Sequence, residues 1–314
     1  MAPPPDELII VADGGDEKVC AAAKPDAMLV RTATPLGPAG ARNAGARAAS
    51  GALLFFVDSD VAVPPDAIDR IKRAIDAPEA PDAIIGSYDT HPPQPDFLSQ
   101  YKNLAHHFVH QTGRCRANTF FGACGVIKRS VFFEVGGFDE RYDAPCIEDI
   151  ELGYRLKDAG HEILLSKTLQ VTHLKKWRTA QLLYTDFYRR ALPWSRLILS
   201  VRRMDNDLNI DWAARLKVTM TALLLVQLVA TAWIVELALS AAVTAALLLA
   251  ADWKLYRFFA RHKGRWFAAR VPLWHWFYYA YSGAAFGWAL VERLVGSLRG
   301  RVEQGRAVRR KRAW

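Results

Sequence analysis

Leu53-Leu54-Phe55-Phe56-Val57-Asp58-Ser59-Asp60 is the stretch on which the reading of this chain turns. Five apolar residues run straight into two carboxylates spaced i, i+2. A short unbroken apolar run bounded by turn residues predicts a strand buried on both faces. In an open α/β sheet, ligands bind beyond the carboxyl ends of such strands. Asp58 and Asp60 therefore fall where a ligand is expected. Paired hard-oxygen donors suit Mg²⁺ or Mn²⁺, which take one or two protein carboxylates and complete their shell from substrate phosphates. An Asp-Ser-Asp triplet is also an ordinary solvated turn, so the rest of the chain has to decide.

Outward from that stretch, the pattern alternates between strands and helices. Residues 8–12 form an apolar run ending in Asp13-Gly14-Gly15-Asp16, strand then turn. A short helix is expected over 17–23 and a strand over 27–31. Gly37-Pro38-Ala39-Gly40-Ala41-Arg42-Asn43-Ala44-Gly45 opens an Ala-rich helix. Free N–H groups and an Arg in its first turns suit an anion, although small residues there also serve close packing. The pattern is neither G-x-G-x-x-G nor Walker, so no dinucleotide or ATP loop follows. Pro64-Pro65-Asp66 starts a helix over Ala67–Ile75. Residues 83–86 read as a strand and 97–110 as a helix. His106, His107 and His110 on that helix lack further ligands and read as an amphipathic face. Residues 120–127 read as turn and strand, and Gly136-Gly137-Phe138-Asp139 as a loop. Ile147-Glu148-Asp149-Ile150-Glu151-Leu152 starts a helix that Gly160 ends, its acids in the first turn where the helix dipole favours them. Residues 163–165 and 170–172 read as two strands, with His173 after the second.

Composition sets bounds on the rest. The 314 residues are 51% hydrophobic with mean hydropathy near zero, which is high for a purely soluble enzyme. The net charge of +9 is uneven: residues 1–198 carry a net −2 and residues 199–314 a net +11. Basic residues flanking long apolar runs point to anionic headgroups and away from a soluble nucleic-acid-binding face. Cys20, Cys115, Cys124 and Cys146 form no C-x-x-C pair and read as reduced thiols. The first residues show no secretory signal pattern.

In their order and spacing, Gly37-Pro38 with Ala41-Arg42-Asn43-x-Gly45, the strand into Asp58-Ser59-Asp60, Gly136-Gly137-Phe138-Asp139-Glu140, Glu148-Asp149-x-Glu151-Leu152 and His173 resemble the family-2 glycosyltransferases over residues 7–200. The resemblance implies an α/β, GT-A-like nucleotide-sugar-binding domain with a mostly parallel sheet, and the apolar runs beyond it predict C-terminal transmembrane helices. It implies that Asp58 and Asp60 hold the divalent cation and the nucleotide diphosphate. Asp13 matches the acid that contacts the base, and Arg42 and Asn43 fall at the diphosphate. Asp149, paired with Glu148, matches the catalytic base. His173 matches a position that closes the metal site. Gly122, Ala123 and Cys124 lie where the family shapes its acceptor pocket. The stretch from Tyr188 to Trp194 is placed like the Q-x-x-R-W motif of processive members. It lacks the Gln and has Pro193 before Trp194, which argues against processive polymerisation. The family usually begins with a strand and helix ahead of the equivalent of residues 8–13. An N-terminally truncated domain with an unpaired sheet edge is therefore expected.

The domains read as 1–200 for the transferase, 201–215 as an amphipathic juxtamembrane linker, and 216–258 as two transmembrane helices (216–236 and 238–258). Residues 259–270 read as a basic cytoplasmic loop, 271–298 as an aromatic interfacial or third membrane helix, and 299–314 as a basic tail. Residues 218–251 contain only Gln227 and Glu236 as strongly polar positions, too long for one untilted span. Positive-inside bias puts the transferase domain on the cytoplasmic side of the plasma (inner) membrane. A membrane anchor beside a glycosyl-transfer site makes a lipid or lipid-linked acceptor the expectation. Trp177, Arg190 and Trp194 are candidate acceptor contacts, with the two tryptophans equally open to an interface-anchoring role. The expected activity is inverting, metal-assisted transfer from a nucleoside-diphosphate sugar. The rival reading is a non-catalytic, membrane-tethered nucleotide-sugar binder, and a sugar nucleotidyltransferase is disfavoured because no Gly- and Arg-rich start pattern is present.

Overall fold

The computed structural model describes residues 3–23, 25–77, 80–201 and 207–311. Residues 202–206 of the expected linker and the last three residues of the expected basic tail lie outside these. The chain divides into two compact units. The first holds Met1–Leu182, Asp205–Asp211 and Trp253–Val271, and the second holds Leu183–Met204, Trp212–Asp252 and Pro272–Trp314.

The first unit follows the strand–helix alternation of its sequence. In order come β1 (Ile9–Ala12), α1 (Glu17–Ala22), β2 (Met28–Arg31), α2 (Gly37–Ala48), β3 (Leu53–Val57), β4 (Val61–Ala62), α3 (Ala67–Ile75) and β5 (Ala83–Tyr88). Then come α4 (Phe97–Thr112), β6 (Arg116–Ala117), β7 (Cys124–Lys128), α5 (Arg129–Glu134), α6 (Glu148–Asp158) and β8 (Ile163–His173). β1 and β2 form a parallel pair. The main sheet runs β3-β7-β5-β8-β4, with β6 on β8. Only β5 and β8 pair in parallel there; β3–β7, β5–β7, β4–β8 and β6–β8 are antiparallel. The sheet is mixed, which corrects the expectation of a mostly parallel one. Short apolar runs reveal burial on both faces but not the direction of the neighbouring strand. Among the described residues β1 bonds only to β2 and β3 only to β7, so each keeps an unpaired edge.

Side chains alternate across the sheet with period two. Ile85 and Ile127 enter one core with Leu54, Phe120, Phe132, Phe138 and Leu152, while Ile84 and Val126 enter the other with Ile71, Leu169 and Val171. α2 buries Ala39, Gly40, Asn43 and Ala46, one helical face by spacing. α4 is capped by Asp96, whose carboxylate accepts the Ser99 N–H at 3.0 Å.

After β8 come α7 (Thr179–Tyr184), a π-helical turn (Thr185–Ala191), α8 (Leu192–Val201), α9 (Trp212–Ala230), α10 (Leu237–Ala251), α11 (Trp253–Lys263) and α12 (Arg265–Lys311). In the second unit, Leu224 of α9 packs with Ala241 and Leu248 of α10. Lys217 and Asp252 pair at 2.7 Å, with Asp252 also accepting the Tyr279 hydroxyl. Most of the outer surface of α9 and α10 is apolar: Leu216, Val226, Val229 and Leu239 are exposed. Among the described residues, α9 alone could cross a membrane by length and composition, or two spans result if α10 and α11 together count as one broken span. The expected span 238–258 is interrupted at Asp252, the expected basic loop 259–270 is helical on both sides of Gly264, and 271–298 belongs to one long helix.

Candidate active site

The site grows from the carboxyl end of β3. After Val57 the chain turns, the Val61 N–H returning to the Asp58 carbonyl at 3.1 Å. β4 then pairs with the end of β8, setting Val61 opposite His173. That register brings His173 Nε2 to 3.6 Å from Asp60 Oδ2, a charge contact longer than a hydrogen bond. The imidazole holds the Asp60 carboxyl below its ordinary range against a smaller upward push from burial. The His173 ring lies flat on Tyr88, centroids 4.4 Å apart and planes 2° apart. Tyr88 in turn meets His106 at 4.5 Å, and His106 meets Phe121 at 4.8 Å. A column of rings therefore fixes the imidazole that faces Asp60. His107 and His110 play a different part: their Nδ1 atoms bond the Tyr88 and Gly86 carbonyls at 2.7 and 3.0 Å. Burial depresses both, His110 to about 4, as befits neutral structural histidines.

Arg42 joins the turn to α6. Its guanidinium donates to Asp58 Oδ1 at 2.6 Å and to Glu148 Oε1 at 2.8 Å, and lies 5.3 Å over the Phe138 ring. Burial disfavours its charge, but the two flanking carboxylates outweigh that and raise its pKa. Glu148 is itself buried and uses its other oxygen to accept the Cys146 N–H at 2.9 Å. Both oxygens are therefore engaged, which makes Glu148 an anchor for Arg42. Asp149 keeps partial solvent access. Its Oδ2 accepts the Gly122 N–H at 3.0 Å and its Oδ1 the Ile150 N–H at 2.8 Å. Burial first, then the adjacent Glu148 charge, pushes its carboxyl up to about 6, with the Gly122 N–H and Arg42 pulling the other way. A carboxylate tuned close to neutrality suits proton transfer. Gly122 lies against Arg42: a Cβ there would stand 3.2 Å from the guanidinium carbon. Asp58, Arg42, Glu148, Gly122 and Asp149 thus form one connected group.

Other expected site residues fall elsewhere. Asp13 Oδ1 accepts the Thr32 hydroxyl and the Leu36 N–H, both at 2.8 Å, and Oδ2 accepts the Gly37 N–H at 2.9 Å. Burial raises this carboxyl, but these donors prevail and hold it low. It pins the start of α2, where Gly37 adopts φ +75° and a side chain would strike the Asp143 backbone. Asn43 is a buried clip: its amide donates to the Phe138 carbonyl at 2.8 Å and to Glu140 at 2.9 Å, and its oxygen accepts the Phe138 N–H at 2.9 Å. Ala123 and Cys124 are buried core residues, Cys124 as the first residue of β7, and burial pushes the Cys124 thiol up to about 12. Trp177 is buried beside α4, its backbone N–H donating to Ser99 Oγ at 2.8 Å and its ring under Lys175 at 4.4 Å. Arg190, 3.5 Å from Asp186, and Trp194 belong to the second unit. Tyr88 and Phe138 were missed at the sequence level. Only Phe138's place in the Gly-Gly-Phe-Asp loop hinted at a role; an apolar strand gives no sign of which ring will stack on a histidine.

Among the described residues no three His, Cys, Asp or Glu side chains close around one point, so Asp58, Asp60 and His173 do not form a complete ligand cage. Asp58 is committed on one oxygen to Arg42, and Asp60 keeps 41% of its side chain exposed. An accessible carboxylate beside a second one fits Mg²⁺ or Mn²⁺, which need few protein oxygens when phosphates and water supply the others.

Residues 2–136 match the family described as Glycosyl transferase family 2. An N-acetylglucosaminyl-diphospho-decaprenol L-rhamnosyltransferase of Mycobacterium tuberculosis is 42% identical over 60 residues, 19% of each chain. A validoxylamine A glucosyltransferase of Streptomyces hygroscopicus is 30% identical over 156 residues, 41% of this chain and 37% of its own. The chain thus spans well under half the length of these relatives. A solved mannosyltransferase from Pyrobaculum calidifontis, in complex with GDP-Man and Mn²⁺, aligns over 86% of this chain and 78% of its own at 16% identity, TM-score 0.46. Over residues 2–136, then, the chain is similar to the family described as Glycosyl transferase family 2.

Proposed function

We propose that this chain transfers a sugar from a nucleoside-diphosphate sugar to the hydroxyl of a lipid or lipid-linked acceptor at a membrane, with inversion and with Asp149 as base. The observation that carries the reading is the hydrogen-bonded run from Asp58 through Arg42 to Glu148, next to an Asp149 whose pKa is raised to about 6. A single base and direct displacement fit inversion. Asp149 takes the proton from the acceptor hydroxyl, whose oxygen bonds the anomeric carbon while the bond from that carbon to the diphosphate breaks. Arg42 keeps the Asp58 turn and the α6 acids in register. Asp58 and Asp60 would hold Mg²⁺ or Mn²⁺, which when bound offsets charge on the diphosphate. The exposed apolar face of α9 and the decaprenol-linked substrate in the name of the M. tuberculosis relative support a lipid acceptor and a membrane location. The basic second half of the sequence supports a transferase domain on the cytoplasmic face.

The test is a panel of nucleotide sugars, with Mg²⁺ or Mn²⁺, offered to membranes carrying the full chain and its Asp149→Asn variant. Transfer by the parent, and its loss in the variant with nucleotide binding retained, supports the proposal. Full transfer by Asp149→Asn overturns the base. Nucleotide binding without transfer or hydrolysis by the parent overturns the enzyme reading in favour of a tethered binder.

A further inference from the structure

We infer that the outer face of α11 is a docking surface for anionic lipid headgroups, holding the transferase domain flat on a negatively charged bilayer. The inference rests on the membrane reading above and adds a defined surface and a lipid charge requirement. α11 and the first two turns of α12 belong to the first unit. One side of α11 is consumed by protein: Leu255, Tyr256 and Phe259 are buried. Phe259 stacks on Tyr101 at 5.8 Å, Phe258 meets Phe108 at 5.4 Å, and Phe267 beyond the Gly264 break meets Phe97 at 4.7 Å. The apolar side therefore seals α4 and is not available to lipid tails. The opposite side carries Lys254, Arg257 and Arg261 at i, i+3 and i+7, one face of a helix, with Arg265 opening α12. All four are exposed, and among the described residues no carboxylate pairs with any of them.

Two further features mark the surface as a membrane face. No Asp or Glu occurs between Asp252 and Glu292, so nothing nearby in sequence neutralises the cations. The basic face is bracketed by Trp253 and Trp266, 59% and 91% exposed. Indole rings favour the headgroup level, whereas a solvated basic helix has no physical reason to present them. An apolar-inward, cationic-outward helix with tryptophans at its ends has the composition of an interfacial element, here docked on a folded domain. Each Lys or Arg near an anionic surface favours it by about five-fold.

The experiment reconstitutes the full chain into nanodiscs of POPC alone or of POPC with POPG, and follows amide exchange over residues 253–266. Exchange is expected to be roughly five-fold slower or more with POPG, the equivalent of at least one cation–headgroup contact. The protection should fade at about 1 M NaCl as screening shortens to ~3 Å. The variant K254Q/R257Q/R261Q/R265Q, at positions that pair with no carboxylate among the described residues, should lose the POPG effect while keeping nucleotide binding. Equal exchange in the two lipids, or an unchanged POPG effect in the variant, overturns the inference. Equal protection from soluble glycerol phosphate over POPC discs overturns it in favour of a free anion site. Failure to enter nanodiscs at all defeats instead the membrane reading on which it rests.

Discussion

Replacing Arg42 by Met tests whether the site is held together by its ion-pair bridge. The substitution keeps length and apolar bulk but leaves Glu148 as a carboxylate 5% exposed with only the Cys146 N–H for company. Stranding one partner of a buried pair costs about 3–5 kcal/mol. The Asp58 half of the bridge is worth less, since that side chain is 35% exposed and water screens it; under about 1 kcal/mol is reasonable there. A total of about 3–6 kcal/mol follows, or about 6–24 °C in Tm for a unit of this size. Thermal melting of the full chain in detergent, watched by tryptophan fluorescence, reads it. In the double variant R42M/E148Q no charge is stranded. It should melt above the temperature expected from adding the two single losses, with a coupling of about 2 kcal/mol. Additive losses refute the bridge. Complete loss of nucleotide binding by R42M with no coupling to Glu148 would instead put Arg42 on the diphosphate.

With Asp149 as the proposed base, activity should fall tenfold per pH unit below about 6: a base acts deprotonated, and this carboxyl is raised to about that value, so the acid limb of kcat/KM reports it. A limb near pH 4 would mean that the upward push is not felt in the working enzyme. Asn43→Ala removes two buried hydrogen bonds and one part-buried one to the Phe138–Glu140 loop and should cost about 2–3 kcal/mol of stability. Nucleotide affinity in the surviving folded fraction should be unchanged; a selective loss of nucleotide binding would return Asn43 to the donor site. Tyr88→Leu should weaken Mn²⁺ binding in the presence of UDP, read by Mn²⁺ electron paramagnetic resonance, because His173 loses the ring that orients it. Tyr88→Phe, which keeps the stack, should not. Equal behaviour of the two variants would separate Tyr88 from the metal site.

What the residue pattern reveals depends on whether the controlling interaction is local. The β3 strand, the turn after it, the helix Ala67–Ile75 and the first-turn acids of α6 are local events, and all were legible. The sheet's polarity was not: the β7 run Cys124–Lys128 is equally apolar whichever way its neighbours point. Residues 163–165 and 170–172 looked like two strands because Ser166-Lys167-Thr168 interrupts the apolar pattern, yet β8 runs through them, with the Leu169 N–H bonding Ser166 Oγ. The basic stretch 259–270 looked like a loop because charge dominates it. Its apolar positions nevertheless carry a helical repeat that is satisfied against α4. Side-chain direction was the least legible of all, which is why Cys124 and Trp177 looked like pocket residues and proved to be core.

Glu148 and Asp149 show why a motif names a place more readily than a role. They are adjacent and chemically alike, and sequence alone assigned both to catalysis. One helical step separates their environments. Glu148 turns inward to a guanidinium and a backbone N–H, where its charge is matched and both oxygens are used. Asp149 turns toward the Gly122 backbone, where two N–H groups only partly offset burial and the charge next door. Pairs of acids pushed apart by their surroundings divide anchoring from proton transfer. The Glu148 charge one residue away adds to burial in holding Asp149 high enough to accept a proton near neutral pH. Glu148→Gln should therefore lower the acid limb below about 6 while leaving the base in place, whereas Asp149→Asn removes the limb along with the activity. An unshifted limb in Glu148→Gln would leave burial alone as the cause.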